Sequence, residues 1–256
     1  MRRDSFRQIS VIIATFITLT VNILADAIPI NGLNTGAISD QFKVYFVPAG
    51  YVFSIWGLIY LGLIGYTIYQ ALPSNRENPK LRSTGGWYIV SCLANSAWIF
   101  LWHYQQFLLC LVVMIVLLLS LLVIYQKLNI GLEKNTLGMR VFVNLTFSIY
   151  LSWVTVATIA NFADVLDYYN FSTLGVTDKT WAIIMLVVAV ILGEMIAYNR
   201  RDLAFLAVQV WAFIGIAVKN KGISPIYEAA LAASMIVTLI IIATSIYKIR
   251  KFKQKT

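Results

Sequence analysis

Long apolar runs alternate with short polar breaks along the whole chain. Each run is long enough to cross the ~30 Å hydrocarbon core of a membrane as an α-helix, and proline, glycine and charged residues mark the breaks. The pattern predicts an all-α, polytopic membrane helical bundle with about eight transmembrane helices. The predicted spans are residues 8–28, 47–70, 86–105, 107–126, 141–162, 180–198, 202–218 and 227–247.

Composition supports a membrane protein. Hydrophobic residues make up 60% of the chain and charged residues only 12%, which is too little charge for the surface of a soluble domain. The net charge of +9 comes from basic residues clustered in the breaks, a distribution typical of membrane topology. We therefore expect no nucleic-acid partner. Cys92 and Cys110 lie inside apolar runs at different depths and are expected to be free thiols.

The basic residues also predict the orientation of the chain. Sixteen of the 20 lysines and arginines fall on one side of the predicted topology, whereas the acidic residues of the loop 164–179 fall on the other. The positive-inside rule then places both termini in the cytoplasm, which requires an even number of spans. The first apolar run is longer than a usual signal core, so we expect it to be retained.

Three of the seven tryptophans are predicted to lie at one depth. From the predicted span ends, Trp98 and Trp153 lie ~18 Å from the inner side and Trp56 ~14 Å from the outer side. Tryptophan in membrane proteins usually lies at the water interface. Three indoles near the middle of the membrane therefore suggest another role.

The neighbours of these indoles repeat at helical spacing. One stripe on each of two spans combines aromatic, amide and small side chains on a single face. Such a lining suits a flat, largely apolar ligand held by a few hydrogen bonds, and the alternative is that it joins helices. The stripes are Asn95, Trp98 and Trp102 in the third span, and Tyr150, Trp153, Ala157 and Asn161 in the fifth.

A polar stripe on the first span, with Thr15, Thr18 and Asn22, leads to Asp26. We expect this stripe to face the bundle. Asp26 would then lie near the outer mouth of a pocket, and an interfacial acid is an equal alternative.

Residues 8–165 resemble the translocator protein / tryptophan-rich sensory protein (TspO) family, which has a five-helix membrane fold. The resemblance rests on three motifs that occur in order. They are Val47-Pro48 followed by Trp56-Gly57-Leu58-Ile59-Tyr60, then Leu93-Ala94-Asn95-Ser96-Ala97-Trp98, then Tyr150-Leu151-Ser152-Trp153 with Ala157 and Asn161.

The resemblance implies a pocket between helices for bulky apolar ligands such as porphyrins, sterols or synthetic aromatics. The loop from Ile30 to Phe46 would form its lid. It also implies a five-helix core, residues 1–165, followed by a three-helix extension with a basic tail, residues 166–256. The candidate ligand-binding residues are Trp56, Tyr60, Asn95, Trp98, Trp102, Tyr150, Trp153, Ala157, Asn161 and Asp26.

The chain departs from the family pattern in places that concern sterols. Phe162 and an acidic stretch follow Asn161, with no arginine nearby, so the sterol-associated motif is missing there. Only a loose match survives at Val123, Tyr125 and Lys127. In addition, Ile149 replaces the proline that precedes the fifth-helix tyrosine.

Other polar residues have modest expected roles. Glu194 is expected to pair with Arg200 or Arg201 at a helix end. His103, the only histidine, is expected at the interface rather than as an axial ligand of a porphyrin iron. The sequon Asn170-Phe171-Ser172 is expected to face outward.

We therefore predict a membrane protein that binds an apolar, porphyrin-like aromatic ligand for sensing or transport. The sequence contains no nucleophile–base pair, metal cluster or phosphate loop, so neither an enzyme nor a bound cofactor is predicted. The alternatives are a small-solute transporter and an enzyme that degrades a bound tetrapyrrole. The expected partners are this ligand and membrane lipid, and a homodimer is an open alternative.

Overall fold

The described part of the chain is mostly helical and contains no strand. A computed structural model describes residues 2–28, 30–169 and 175–253. The helices are α1 Arg2–Ala27, α2 Thr35–Ser39, α3 Ile55–Ala71, α4 Pro79–His103, α5 Phe107–Lys127, α6 Thr146–Tyr168, α7 Asp178–Arg200, α8 Leu203–Lys219 and α9 Ile226–Lys253. The prediction of an all-α polytopic bundle is confirmed.

Six of the described helices are long and apolar enough, by length and composition, to cross a membrane. The other two predicted spans, 86–105 and 202–218, correspond to α4 and α8. Helix α8 has 17 residues. Helix α4 is long but buries polar residues such as Ser91 and Asn95 among its neighbours, so much of its surface faces protein rather than lipid.

Helix α4 begins earlier than predicted, because its cap lies at Asn78. The Asn78 side chain accepts hydrogen bonds from the backbone N–H groups of Lys80 (3.0 Å) and Leu81 (3.4 Å). The predicted start of the third span at residue 86 is wrong, since Gly85 and Gly86 both lie inside α4. A Cβ atom on Gly85 would lie 2.9 Å from the Arg7 side chain, so this glycine allows α1 to approach closely.

Five helices form a closed ring. Helix α1 packs against α3 and α4, α4 against α5, and α5 against α6. Helix α6, with the π-helical segment Met139–Leu145 that precedes it, returns to α3. The extension joins this ring mainly through α8, which packs against α6, while α9 packs against α8 and α7.

Contacts between helix ends show that the long helices alternate in direction. At one end, Gln8 Nε2 donates to the Gln70 carbonyl at 2.7 Å, which joins the start of α1 to the end of α3. Arg201, in the turn between α7 and α8, lies over the Tyr247 ring near the end of α9, 4.6 Å from its centroid. We call this end of the bundle the basic end. Helix α1 begins there, and helix α9 ends there. The opposite end is the lid end.

The core and the extension also meet at the basic end. Gly131 has a φ of +82°, and a Cβ atom there would lie 1.9 Å from the Arg200 carbonyl oxygen. Only glycine fits this close approach of the loop after α5 to the end of α7.

Several local expectations have different outcomes. Cys92 and Cys110 are free and buried, as expected. Helix α6 continues to Tyr168, so the predicted polar loop starting at Asp164 is wrong at its beginning. The proposed boundary after residue 165 falls in the last turn of this helix. Glu194 is exposed, and no ion pair with an arginine is found for it within the described ranges. The sequon at Asn170 lies outside the described residues.

Candidate ligand cavity

A cavity lies between α3, α4 and α6, beneath the loop that joins α1 to α3. Its volume is about 50 Å³, which leaves room for only a few water molecules. Its walls are mostly aromatic and aliphatic. They consist of Thr35, Ser39, Val47, Pro48, Phe53, Trp56, Trp98, Trp102, Met114, Trp153, Val156, Ala157, Ala160, Asn161 and Asp164.

Four indoles from three helices form the aromatic part of the wall. The Trp98 and Trp102 rings of α4 are stacked, with centroids 5.1 Å apart and planes at 19°. The Trp56 ring of α3 meets the Trp153 ring of α6 edge-on, with centroids 6.3 Å apart. These are favourable aromatic geometries.

The cavity lies nearer the lid end than predicted. Because α4 begins at Pro79, Trp98 lies ~29 Å rather than ~18 Å from the start of its helix, at ~1.5 Å per residue. Trp56 lies in the first turn of α3. The three indoles line one cavity. Trp98 and Trp56 lie toward the lid ends of their helices, whereas Trp153 lies near the midpoint of the helical segment Met139–Tyr168.

One wall carries the polar groups. Trp98 Nε1 donates to Asn161 Oδ1 at 2.8 Å, and Asn161 Nδ2 donates to Asp164 Oδ2 at 3.4 Å. Trp153 Nε1 and Asp164 Oδ1 are buried and have no hydrogen-bond partner within the described part of the chain. The walls therefore provide one unpaired donor and one unpaired acceptor.

A buried hydrogen-bond network supports the cavity from below. Tyr60 OH donates to Asn22 Oδ1 at 2.8 Å, Asn22 Nδ2 to Asn95 Oδ1 at 2.7 Å, and Asn95 Nδ2 to Tyr150 OH at 3.0 Å. This network joins α3, α1, α4 and α6. The Trp56 ring stacks on Tyr60, with centroids 5.6 Å apart, so the network also positions an indole of the wall.

Nine of the ten predicted site residues fall into two groups. Trp56, Trp98, Trp102, Trp153, Ala157 and Asn161 line the cavity. Tyr60, Asn95 and Tyr150 lie behind the wall, in the network. Thr15, Thr18 and Asn22 are buried, so their stripe faces the bundle as expected. The Asp26 side chain lies outside the described part of the structure.

The loop above the cavity is attached to the end of α4. Trp102 Nε1 donates to the Thr35 carbonyl at 3.2 Å. His103 is 1% exposed, with Nδ1 2.9 Å from the Ile30 carbonyl oxygen and Nε2 3.2 Å from Thr35 Oγ1. His103 ends α4 and is buried beneath the loop, and both ring nitrogens contact loop residues.

The other half of this loop is attached to α8 of the extension. Asn220 Nδ2 donates to the Tyr45 carbonyl at 2.9 Å, and the Ala49 N–H donates to the Gly215 carbonyl at 3.1 Å. A side chain at position 215 would meet Val52 at 2.2 Å, so the glycine allows this contact. The extension thus helps to position the lid over the core cavity.

Sequence reasoning missed several wall residues. Asp164 follows Asn161 by three residues and so continues its stripe on α6, a signal hidden by the assignment of Asp164 to a loop. Thr35 begins the short helix α2 and Phe53 lies in the 3-10 segment Gly50–Ser54, and neither residue belongs to a predicted stripe. Met114 of α5 carried no distinguishing pattern.

The loose sterol match on α5 has a structural role. Tyr125 is 1% exposed, and its hydroxyl donates to Asp202 Oδ2 at 2.9 Å. Its ring therefore does not face the surrounding membrane.

Taken with the apolar helices, this arrangement defines a multi-pass integral membrane protein with an internal aromatic cavity. The model of a family described as TSPO-like protein matches residues 8–244, and the chain belongs to that family. The match includes most of the extension as well as the five-helix ring. No curated protein and no solved structure matches the chain.

Proposed function

We propose that the protein binds a flat, largely apolar aromatic ligand of the porphyrin or tetrapyrrole type in this cavity, for sensing or transport. The observation that carries the proposal is the convergence of four indoles from three helices on one enclosed space. Family membership supports a ligand-binding or transport role in a membrane. The basic end, with both termini, is proposed to face the cytoplasm.

The unpaired polar groups suggest how a ligand would be oriented. The Trp153 Nε1–H group would donate to a carbonyl or carboxylate of the ligand, and Asp164 Oδ1 would accept from an N–H group. Buried polar groups without partners are costly, so a ligand that pairs both would gain affinity from each. A porphyrin with acidic side chains offers both kinds of group.

Binding requires the lid to move. A volume of about 50 Å³ is far below the ~300–1,000 Å³ of pockets that hold drug-sized ligands. The segment above the cavity is held by hydrogen bonds to α4 and α8 and by buried apolar side chains, among them Phe42, which packs on Trp102. Displacement of this segment is the simplest way to enlarge the space between the indoles.

The test is a titration of the purified protein in detergent with protoporphyrin, followed by the absorbance of the pigment. Ala157→Phe fills the cavity and is expected to weaken binding at least tenfold. Trp153→Phe keeps an aromatic ring but removes the N–H donor, so we expect a loss of about fivefold, equivalent to about 1 kcal/mol.

Matched controls make the same changes elsewhere. Ala232→Phe and Trp87→Phe alter exposed positions of α9 and α4 that do not line the cavity. Both are expected to bind like the unmodified protein. Unchanged affinity in Ala157→Phe, Trp98→Phe and Trp153→Phe would refute the proposal.

A further inference from the structure

A second cavity, which we call the basic cavity, lies at the basic end between the ring and the extension. Its volume is about 480 Å³. The loop after α5, the start of α6, the turn before α8 and the end of α9 all contribute to its walls. Four cationic side chains line it, namely Lys134, Arg140, Arg201 and Lys248.

These cations are not neutralised by the acids of the same walls. Glu133 pairs with Lys80 at 2.7 Å. Asp202 accepts hydrogen bonds from Tyr125, from Ser148 and from two backbone N–H groups of α8. None of the four cations forms an ion pair with a carboxylate within the described ranges. The cavity therefore carries a net positive charge suited to an anion.

The basic cavity also contains an unpaired acceptor. Asn144 Oδ1 is buried and has no hydrogen-bond partner within the described part of the chain. It could accept a hydrogen bond from a hydroxyl group of a bound molecule. An anion that carries hydroxyl groups would thus match both features of the walls.

An apolar groove adjoins the basic cavity. Its volume is about 410 Å³, and it shares Leu145 and Ala204 with the walls of the basic cavity. It runs between α3, α6 and α8 as far as Trp211, whose Nε1 is fixed by a 3.1 Å hydrogen bond to the Val52 carbonyl. From Ala204 to Trp211 the rise along α8 is ~10 Å, which fits within one leaflet of a ~30 Å hydrocarbon core.

The groove opens toward the membrane side of the bundle. Leu58 is 53% exposed and Leu145 is 43% exposed, and both line it. A soluble anion would use the basic cavity but leave this apolar surface uncovered. A phospholipid has a charged headgroup joined to an acyl chain. The headgroup matches the basic cavity, and the acyl chain matches the apolar groove beside it.

We infer that the basic cavity and the apolar groove together form a binding site for an anionic phospholipid. The phosphodiester headgroup lies among Arg140, Arg201 and Lys248, and one acyl chain lies along the groove on α8. The site joins the ring to the extension, so it exists only when both parts are present. It is separate from the aromatic cavity at the lid end.

The experiment uses the full chain in a neutral detergent and native mass spectrometry to count retained lipids. Phosphatidylglycerol is expected to be retained about tenfold more tightly than phosphatidylcholine. The double variant Arg140→Gln/Lys248→Gln is expected to lose this preference. Its matched control, Lys219→Gln/Lys221→Gln, removes the same charge at the lid end and is expected to keep it.

Two further measurements distinguish a bound lipid from a bound soluble anion. Ala207→Phe places a ring in the groove from an exposed position on α8 and is expected to reduce retention of phosphatidylglycerol about tenfold. Glycerol 3-phosphate, which has the headgroup chemistry without the chains, is expected to compete only at far higher concentration than the lipid. This competition uses the unmodified protein and so does not depend on a variant that folds.

Three results would overturn the inference. The first is a double variant that keeps the preference for phosphatidylglycerol. The second is an Ala207→Phe variant that retains the lipid normally. The third is competition by glycerol 3-phosphate at the same concentration as the lipid, which would assign the cavity to a soluble anion.

Discussion

Trp98 of α4 donates its indole N–H to Asn161 of α6 across 2.8 Å, so two walls of the aromatic cavity are joined by one hydrogen bond. Both side chains are buried. The bond positions the Trp98 ring, on which Trp102 stacks. The Asn161 amide therefore positions Trp98 directly and supports Trp102 through the stack, while Trp102 is also held by the Thr35 carbonyl.

Replacing the Asn161 amide should lower the free energy of unfolding of the protein and also loosen the cavity wall. In Asn161→Leu the side chain keeps its branching and its number of heavy atoms, but the buried Trp98 N–H loses its acceptor, which should cost about 1–3 kcal/mol. The free energy of unfolding can be measured by denaturant titration in mixed micelles. The control Asn199→Leu makes the same change at an exposed position of α7 and should have little effect. Equal stability of the two variants would show that the bond contributes nothing.

The sequence predicted which side chains surround the cavity better than it predicted how they are held. Helical spacing placed Trp153, Ala157 and Asn161 on one face, and they do share a wall. Spacing within one helix cannot reveal a partner on another helix. The stripe with Asn22 could thus be assigned to the bundle interior, but its bonds to Asn95 and Tyr60 could not be predicted.

The predicted helix boundaries are wrong where tertiary packing outweighs the local conformational preference of the sequence. Gly85-Gly86 looks like a break, yet the close contact with Arg7 explains a glycine inside α4. Because α4 starts earlier than predicted, Trp98 lies farther from the start of its helix and nearer the lid end than predicted. The attachment of the lid to Asn220 joins residues 175 positions apart, a contact that no local pattern encodes.

The lid should become more mobile when its attachment to the extension is removed. Asn220→Ala deletes the 2.9 Å bond to the Tyr45 carbonyl, a loss of about 1 kcal/mol. We expect about fivefold faster amide hydrogen exchange in residues 40–49, since local opening follows the lost free energy. Association of protoporphyrin should also become faster.

A hydroxyl of the same extension serves as the control for this change. Ser245→Ala removes a hydroxyl of α9 that, among the described residues, donates to the Ile241 carbonyl of its own helix. Exchange in residues 40–49 should be unaffected by it. If Asn220→Ala leaves the exchange of this segment unchanged, the extension does not control the lid.

The Lys80–Glu133 ion pair at the basic end predicts a pH dependence. The hydrogen bond from Lys80, followed by that from Asn129, holds the pKa of Glu133 below its ordinary value of 4.5. A lowered pKa means that the pair stabilises the folded protein fully at pH values above the ordinary pKa of 4.5. This stabilisation is lost as the pH falls through the lowered pKa of Glu133. Because the pair is exposed, the effect should be small.

Glu133→Gln should therefore lower the Tm slightly at neutral pH and make no difference once the pH is below the lowered pKa. The measurement is the Tm of both proteins in detergent at a series of pH values. Glu228→Gln replaces an exposed acid at the lid end and serves as the control. Its plot of Tm against pH should run parallel to that of the unmodified protein. A constant difference between Glu133→Gln and the unmodified protein at every pH would contradict the assigned cause.

Asp202 connects the extension to the ring and should be the most sensitive position at the basic end. One carboxylate oxygen caps α8 by accepting from the backbone N–H groups of Ala204 and Phe205. The other accepts from Tyr125 of α5 and Ser148 of α6. Asp202→Ala removes both functions and should cost about 3 kcal/mol, more than the ~1 kcal/mol of a typical cap.

The cap and the connection can be separated with a second helix start. Thr177 caps α7 through the Thr180 N–H at 3.2 Å and is exposed, so Thr177→Ala measures a cap without bonds to the ring. The excess cost of Asp202→Ala over Thr177→Ala is then the contribution of the bonds to Tyr125 and Ser148. The double variant Tyr125→Phe/Ser148→Ala should lose a similar amount while the cap stays intact. If Asp202→Ala costs no more than Thr177→Ala, the carboxylate only caps its helix and contributes nothing to the attachment of the extension to the ring.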